Sequence, residues 1–284
     1  MEAVPIVFIE DLLGKIAALT NLTSHKLLSI YFGFCATKMA EKDHSRTLLL
    51  VDGRFERSYK YGYSIASALP NDCKWSMKYR TVKYVKYDVS DQEVPSIDPK
   101  LSSMIDRFSR EPGIFGLNLF STLLDDKWVQ LFSSLKSLNI VSVQNDFTEP
   151  VFELLEDLLN QEQLVKLIIN VDDYGTREMD LFCRFLKQKQ FLSLMFFSEN
   201  EAMKERILAE ADKEAFAGSS IVWTYSTTQH DESFQSLGRV SEVAVQFKRE
   251  NMLVTYSNLT AGPEVSDGDF IEGADQTDLC FVGF

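Results

Sequence analysis

Two pairs of adjacent acids, Asp125-Asp126 and Asp172-Asp173, are the side chains in this sequence best placed for chemistry. Asp172-Asp173 directly follows a strand-like run ending at Val171, the position where α/β sheets gather ligands and catalytic carboxylates. A hard cation bound there would need about six oxygen ligands, more than two neighbours supply. Neither a glycine-rich phosphate loop nor a histidine accompanies either pair. Both pairs therefore read as acidic loop residues. A serine nucleophile would sit in a G-x-S-x-G elbow, and the nearest approach, Gly218-Ser-Ser220, lacks the second glycine and a base. His230 stands beside Asp231 and Glu232 in the polar run Thr227 to Ser233, which reads as a solvated loop histidine. Cys35, Cys73, Cys183 and Cys280 form no C-x-x-C pair, and His25, His44 and His230 do not cluster with them, so zinc has no ligand set. Reduced, buried thiols are expected, with Cys183 in the core beside Phe182 and Phe185. The sequence predicts no catalytic, cofactor-binding or metal-binding residue, and hence a binding protein and not an enzyme.

Charge narrows the partners. With 29 basic and 42 acidic residues the chain carries a net −13, a field that repels phosphate backbones and anionic lipid surfaces. Lys74 to Val89 runs against that trend, interleaving Lys74, Lys78, Arg80, Lys83 and Lys86 with Trp75, Tyr79, Tyr84 and Tyr87. Such a mixture could bind an acidic peptide or single-stranded nucleic acid. The simpler reading is an edge strand whose lysines discourage pairing. No apolar run approaches the roughly 20 residues of a membrane span, and the opening Met-Glu-Ala-Val-Pro lacks the basic start of a secretory signal. An intracellular protein, cytoplasmic or nuclear, is expected, with neither nucleic acid nor membrane as partner.

The elements that must carry any binding surface are written as a repeat. Ile114-x-x-Leu117-x-Leu119, Leu135-x-x-Leu138-x-Ile140, Leu164-x-x-Leu167-x-Ile169 and Phe191-x-x-Leu194-x-Phe196 share one apolar phrase, with first positions 21, 29 and 27 residues apart. That period belongs to solenoids of one strand and one helix per repeat. Helical spacers at Leu123–Leu135, Pro150–Leu159, Glu178–Leu186 and Glu201–Phe216 complete the pattern, with Thr148 a candidate cap. A fifth phrase around Ile221 and Trp223 fits less well. The fold class predicted is α/β, a leucine-rich-repeat-like solenoid of parallel strands backed by helices, with β-hairpins on either side. Thr47–Val51 and Arg54–Tyr59 flank Asp52-Gly53, a primed-turn pair. Val243–Phe247 and Leu253–Tyr256 form the second hairpin.

Upstream lie two short amphipathic helices. Pro5 suits a first helical turn, and Phe8, Ile9, Leu12, Leu13, Ile16 and Leu19 recur at steps of three and four. After the polar break Thr20–Ser24, Leu27, Leu28, Tyr31, Phe32, Cys35, Ala36 and Met39 line a second face. Val4-Pro5, the helix Phe8 to Ile16, the break and the helix Leu28 to Ala36 resemble an F-box. The whole layout, with Phe147-Thr-Glu-Pro-Val-Phe-Glu-Leu-Leu155 and its following strand, is similar to the nematode family of F-box-like proteins with an associated C-terminal domain. That resemblance implies recruitment of a protein substrate to a cullin-RING ubiquitin ligase through the ligase adaptor subunit.

Four segments are expected: an F-box-like helical unit at 1–45, a β-rich connection at 46–95, the leucine-rich-repeat-like α/β domain at 100–260, and an acidic C-terminal tail at 261–284. The segment Ser90–Pro99 reads as a linker. The tail carries Glu264, Asp267, Asp269, Glu272, Asp275 and Asp278 without a basic residue, and reads as disordered or loosely attached until the apolar Leu279–Phe284. Pro5, Phe8, Leu12, Leu13, Leu28 and Phe32 would face the adaptor. Val141, Ile168, Asn170, Met195 and Phe197, outside the repeat's framework positions, would face a protein partner. The alternative is a repeat scaffold whose N-terminal helices only cap the core, with no ligase role.

Overall fold

The structure, a computed structural model, describes residues 9, 12, 13, 30–42, 44–62, 67–69, 80–90, 93–171, 175–197, 205, 206, 209, 216, 218–224, 233–262 and 264–282. The chain divides into two compact units, Met1–Ile140 and Val141–Phe284. Both are mixed α/β, built on open sheets. The division falls inside a strand of the repeat region and not in the segment Ser90–Pro99.

The first unit holds α1 (Ile30–Lys42), β1 (His44–Val51), β2 (Arg54–Gly62), β3 (Ser67–Leu69), β4 (Arg80–Asp88), α2 (Pro99–Ser109), β5 (Ile114–Leu119), α3 (Asp126–Ser133) and the first half of β6 (Leu138–Val143). Its strands run β5-β4-β1-β2-β3. β1 and β2 form the expected hairpin, with Asp52 at φ 47° and Gly53 at φ 74° in the turn. A side chain at Gly53 would also strike the Ser96 carbonyl, 2.7 Å from the ideal Cβ position, so this turn takes glycine for two reasons. β4 pairs in parallel with β1 on one side and β5 on the other. It is an interior strand, which corrects the expectation of an edge protected by lysines. Lys83 is 1% exposed, and its ammonium donates to the carbonyls of Ser109, at 2.7 Å, and Glu111, where α2 ends. A lysine is tolerated in the sheet because it satisfies carbonyls that a helix C-terminus leaves open.

The apolar core of this unit is aromatic. Tyr87 stacks at 4.8 Å on Trp128, which stacks at 5.4 Å on Phe132, both from α3. The polar ends of the rings find backbone: Tyr87 Oη donates to Leu123 O and Trp128 Nε1 to Pro95 O, each at 2.7 Å. The second bond ties the loop after β4 to α3.

The second unit holds the rest of β6, α4 (Glu149–Asn160), β7 (Lys166–Ile169), α5 (Thr176–Leu186), β8 (Ser193–Phe196), β9 (Ser220–Thr224), β10 (Gln235–Ser241), β11 (Ala244–Arg249), β12 (Met252–Ser257), α6 (Asp267–Glu272) and β13 (Gln276–Phe281). Its strands run β7-β8-β9-β13-β12-β11-β10. β7, β8 and β9 are parallel neighbours added in one direction, and a right-handed crossover from β7 to β8 puts α5 on one face of the sheet. Leu167, Leu194 and Ile221 are directly in register on that face, as are Ile169, Phe196 and Trp223. Phe182 of α5 meets Phe196 at 5.6 Å. Leu117 and Leu138 of the first unit and Leu167 and Leu194 of the second are all fully buried.

Two expectations for the C-terminal third are revised. The described residues 264–278, expected to be disordered or loosely attached, are not a loose tail. β13 lies between β12 and β9, antiparallel to both, and buries Thr277, Leu279 and Phe281. The acids that suggested disorder have local uses: Asp267 and Asp269 open α6, where negative charge suits the helix dipole, behind a Ser266 cap. β10, not anticipated from the sequence, extends the β11–β12 hairpin to a meander.

Candidate functional site

The N-terminal helical residues and the strand row on the face of the second unit's sheet opposite α5 are the two candidate contact surfaces. In the first, Ile9, Leu13, Cys35, Ala36 and Met39 form one buried cluster with Phe32 partly buried against it. Positions 32, 35, 36 and 39 follow the helical spacing of α1, and 9 and 13 lie one turn apart. Leu13 is therefore core, not surface. Leu12, on the shoulder of that face, is 37% exposed, and Phe34 of α1 is 60% exposed. Pro5, Phe8 and Leu28 lie outside the described residues. Phe34 lies opposite the face that Phe32, Cys35, Ala36 and Met39 share, so helical spacing alone turns its ring outward.

In the second unit, the sheet face opposite α5 carries the row Ile168, Met195, Val222, Asp278, Thr255 and Gln246, each in register with the next. Beside it runs Lys166, Ser193, Ser220 and Cys280. The geometry thus brings Ile168 and Met195 together, as the sequence pattern implied. Asn170 and Phe197 sit at the carboxyl ends of the same strands, Asn170 exposed and donating to Gln144 Oε1 at 3.0 Å, Phe197 38% exposed. Val141 differs: it is fully buried, because β6 is covered on both faces, and it offers no surface.

The electrostatics of this row come from β13, which sequence reasoning left out. Burial raises the Asp278 carboxyl above its ordinary pKa, against the opposing pull of Gln276, which donates to both carboxylate oxygens at 3.0 Å, and of Lys166. Burial likewise lowers Lys166, partly offset by Asp278. Cys280 is pushed up to about 11 by burial and by Asp278, so its thiol is neutral and a poor nucleophile at pH 7. The row is a half-buried mixture of apolar side chains and one pair of opposite charges, suited to contact and orientation.

The first unit has its own polar features. A cleft of ≈ 910 Å³ lies between the Asp52-Gly53 turn and the loop after β4, lined by Asp52, Arg54, Glu93, Val94, Pro95 and Ser96. Both walls are pinned, by Ser90 N donating to Asp52 Oδ1 at 2.8 Å and by the Trp128–Pro95 bond. At the other end of β4, Arg46 and Arg80 share the Glu111 carboxylate at 3.0 and 2.5 Å, close to buried Lys83 and His44. Burial lowers the Lys83 pKa to about 8, with Glu111 opposing and Arg80 assisting. Burial also lowers His44, opposed by the bond to the Lys42 carbonyl and reinforced by Arg80 and Lys60. These groups hold one another and the end of α2.

The residues whose side chains could do catalysis have structural places. Asp125 caps α3, its Oδ1 accepting from Lys127 N and Trp128 N at 3.0 Å. Ser219 and Ser220 donate to the carbonyls of Phe216 and Leu192. Cys183 and Cys35 are buried. Asp172, Asp173, His25, His230 and Cys73 lie outside the described residues. Among the described residues no group of three His, Cys, Asp or Glu side chains is placed to hold a metal ion, and no helix is long and apolar enough to cross a membrane. Comparison with protein-family models, with curated proteins and with solved structures finds no match for this chain.

Proposed function

We propose that the chain is a non-enzymatic protein-interaction module that joins an F-box-like helical unit to a leucine-rich-repeat-like region, and that it recruits a protein substrate to a cullin-RING ubiquitin ligase. The observation that carries the proposal is the division of labour in the N-terminal helical residues. Ile9, Leu13, Cys35, Ala36 and Met39 make a core of their own, while Leu12 and Phe34 remain available outside it. Large apolar side chains left outside a packed core offer contact area to a protein partner.

Repetition supports the leucine-rich-repeat-like reading of the second unit. Glu149–Arg177, Glu156–Arg184, Leu192–Ser220 and Phe196–Thr224 are all polar contacts between residues 28 positions apart. Contacts recurring at one sequence separation are what stacked copies of a single strand-helix motif produce. On this reading Ile168, Met195, Asn170 and Phe197 contact the recruited substrate.

The second reading, a repeat scaffold whose N-terminal helices serve only the fold, is favoured by the depth at which Ile9 and Leu13 are buried. Co-purification with the ligase adaptor subunit separates the two. Leu12→Asp leaves the helical core intact, so on the recruitment reading it releases the adaptor without unfolding the chain. Wild-type chain that retains no adaptor leaves the scaffold reading standing.

A further inference from the structure

Lys166 carries a charge that the fold leaves uncompensated. It opens β7, half-buried, on the sheet face opposite α5. Among the described residues no acceptor lies within hydrogen-bond or ion-pair reach of its ammonium, and Asp278 acts on it only as a charge at a distance. Burial strips water from the ammonium, and nothing in the chain replaces it. Lys83 shows the contrast: a lysine the fold keeps for itself, with the carbonyls of Ser109 and Glu111 at its ammonium. Ser193, the register partner of Lys166 on β8, is half-buried too, and its hydroxyl makes no hydrogen bond to a described residue. Two donors without acceptors therefore stand side by side on one face.

The adjacent row on that face is an apolar strip of Ile168, Met195 and Val222 that ends at Asp278 on β13. The side-chain amide of Gln276 donates to both Asp278 oxygens at 3.0 Å, and among the described residues no cation pairs with them. The strand order β7-β8-β9-β13 puts the two charges three strands apart. At roughly 4.8 Å per strand that is about 14 Å, which an extended segment lying across the strands covers in about four residues, with alternate side chains toward the sheet.

We infer that this face reads an extended segment of the recruited protein, with an acidic side chain on Lys166 and Ser193, an aliphatic side chain on Ile168, Met195 and Val222, and a basic side chain on Asp278. The two charges select that occupant. A nucleic acid or an anionic lipid surface would meet Asp278 and the field of a −13 chain. A wholly basic segment would leave Lys166 unpaired, and an apolar one would bury both charges without partners, the costliest arrangement. Burial lowers the pKa of Lys166 and raises that of Asp278, the same penalty felt by each charge, and opposite charges brought to the two ends relieve it. The inference rests on the reading that this face contacts the recruited protein, and it holds whichever ligase adaptor is bound.

Selection of short random peptides displayed on phage against the immobilised full chain tests it. Wild type enriches peptides in which an acidic and a basic residue stand roughly four positions apart with an aliphatic residue midway. Lys166→Met weakens binding of an enriched peptide, followed by fluorescence anisotropy, by about tenfold or more. The same substitution leaves the circular dichroism unchanged and the thermal midpoint equal or higher, because the free chain loses an unpaired half-buried charge. A lowered midpoint would make Lys166 a structural residue and contradict the inference. Asp278→Asn removes the preference for the basic residue and keeps that for the acidic one. Glu153→Lys, on the exposed side of α4, changes neither. Enriched peptides that lack the charge pattern, or that bind Lys166→Met as tightly as wild type, overturn the inference and leave the face a contact surface. No enrichment, or enrichment indifferent to Met195→Glu, overturns both.

Discussion

Arg184 grips Glu156 through two parallel bonds, Nη1 to Oε1 at 2.5 Å and Nη2 to Oε2 at 2.8 Å, joining α5 to α4 across 28 residues of chain. Arg177 repeats the arrangement on Glu149 one heptad earlier in both helices, at 2.5 and 2.7 Å. The helices therefore run side by side in a fixed register. Both partners of the Arg184 pair are partly solvated, 48% and 27% exposed, so the expected coupling in a double-mutant cycle of Arg184→Ala and Glu156→Ala is modest, roughly 0.5–1 kcal/mol. Arg184→Lys, which loses the two-pronged geometry, recovers less than half of it. Zero coupling means the register is set by the apolar faces alone.

Lys83 gives a pH dependence with a definite sign. Its folded pKa of about 8 lies below the ordinary lysine value of 10.5. Between those limits the unfolded chain holds a proton that the native chain has released, so unfolding takes up a proton and stability rises with pH. The neutral amine still donates to the Ser109 and Glu111 carbonyls. Cys280 has the opposite influence over part of this range, so the comparison is wild type against Lys83→Met, in which Cys280 is common to both. Urea titrations from pH 8 to 10.5 should show the difference moving in favour of wild type by roughly 2–3 kcal/mol. A difference that moves the other way contradicts the assignment of burial as the dominant cause.

β13 is predicted to be indispensable to the second unit. Phe281 is 2% exposed and packs edge-on against Phe216 at 5.4 Å. Phe281→Ala should cost about 3–5 kcal/mol. Deleting residues 276–284 should expose the β9 and β12 edges and abolish cooperative unfolding of residues 141–284, read by limited proteolysis. Resistance to protease equal to that of the full chain would restore the picture of a dispensable tail.

Much of the framework was legible because it is local. The L-x-x-L-x-L phrases put Leu117, Leu138, Leu167 and Leu194 in the core, and Asp52-Gly53 announced its hairpin through φ angles few residue pairs accept. The features missed depend on distant chain. Nothing near Lys83 in sequence shows that the carbonyls of Ser109 and Glu111 will meet its ammonium. The alternation of Thr277, Leu279 and Phe281 was outweighed by the surrounding acids, and its partners, β9 and β12, lie on either side in space and far off in sequence. The repeated phrase puts Ile168 and Met195 opposite one another, as their pairing in register shows, but it could tell neither that Val141 is fully buried nor that Leu13 turns into the core.

Titration of purified ligase adaptor subunit into the purified full chain by calorimetry tests the recruitment account most directly. The account predicts saturable binding by wild type, and at least tenfold weaker binding by both Leu12→Asp and Phe34→Asp, a loss of about 1.4 kcal/mol or more, with folding unchanged. Absence of binding to wild type, or affinity unaltered by both substitutions, contradicts it.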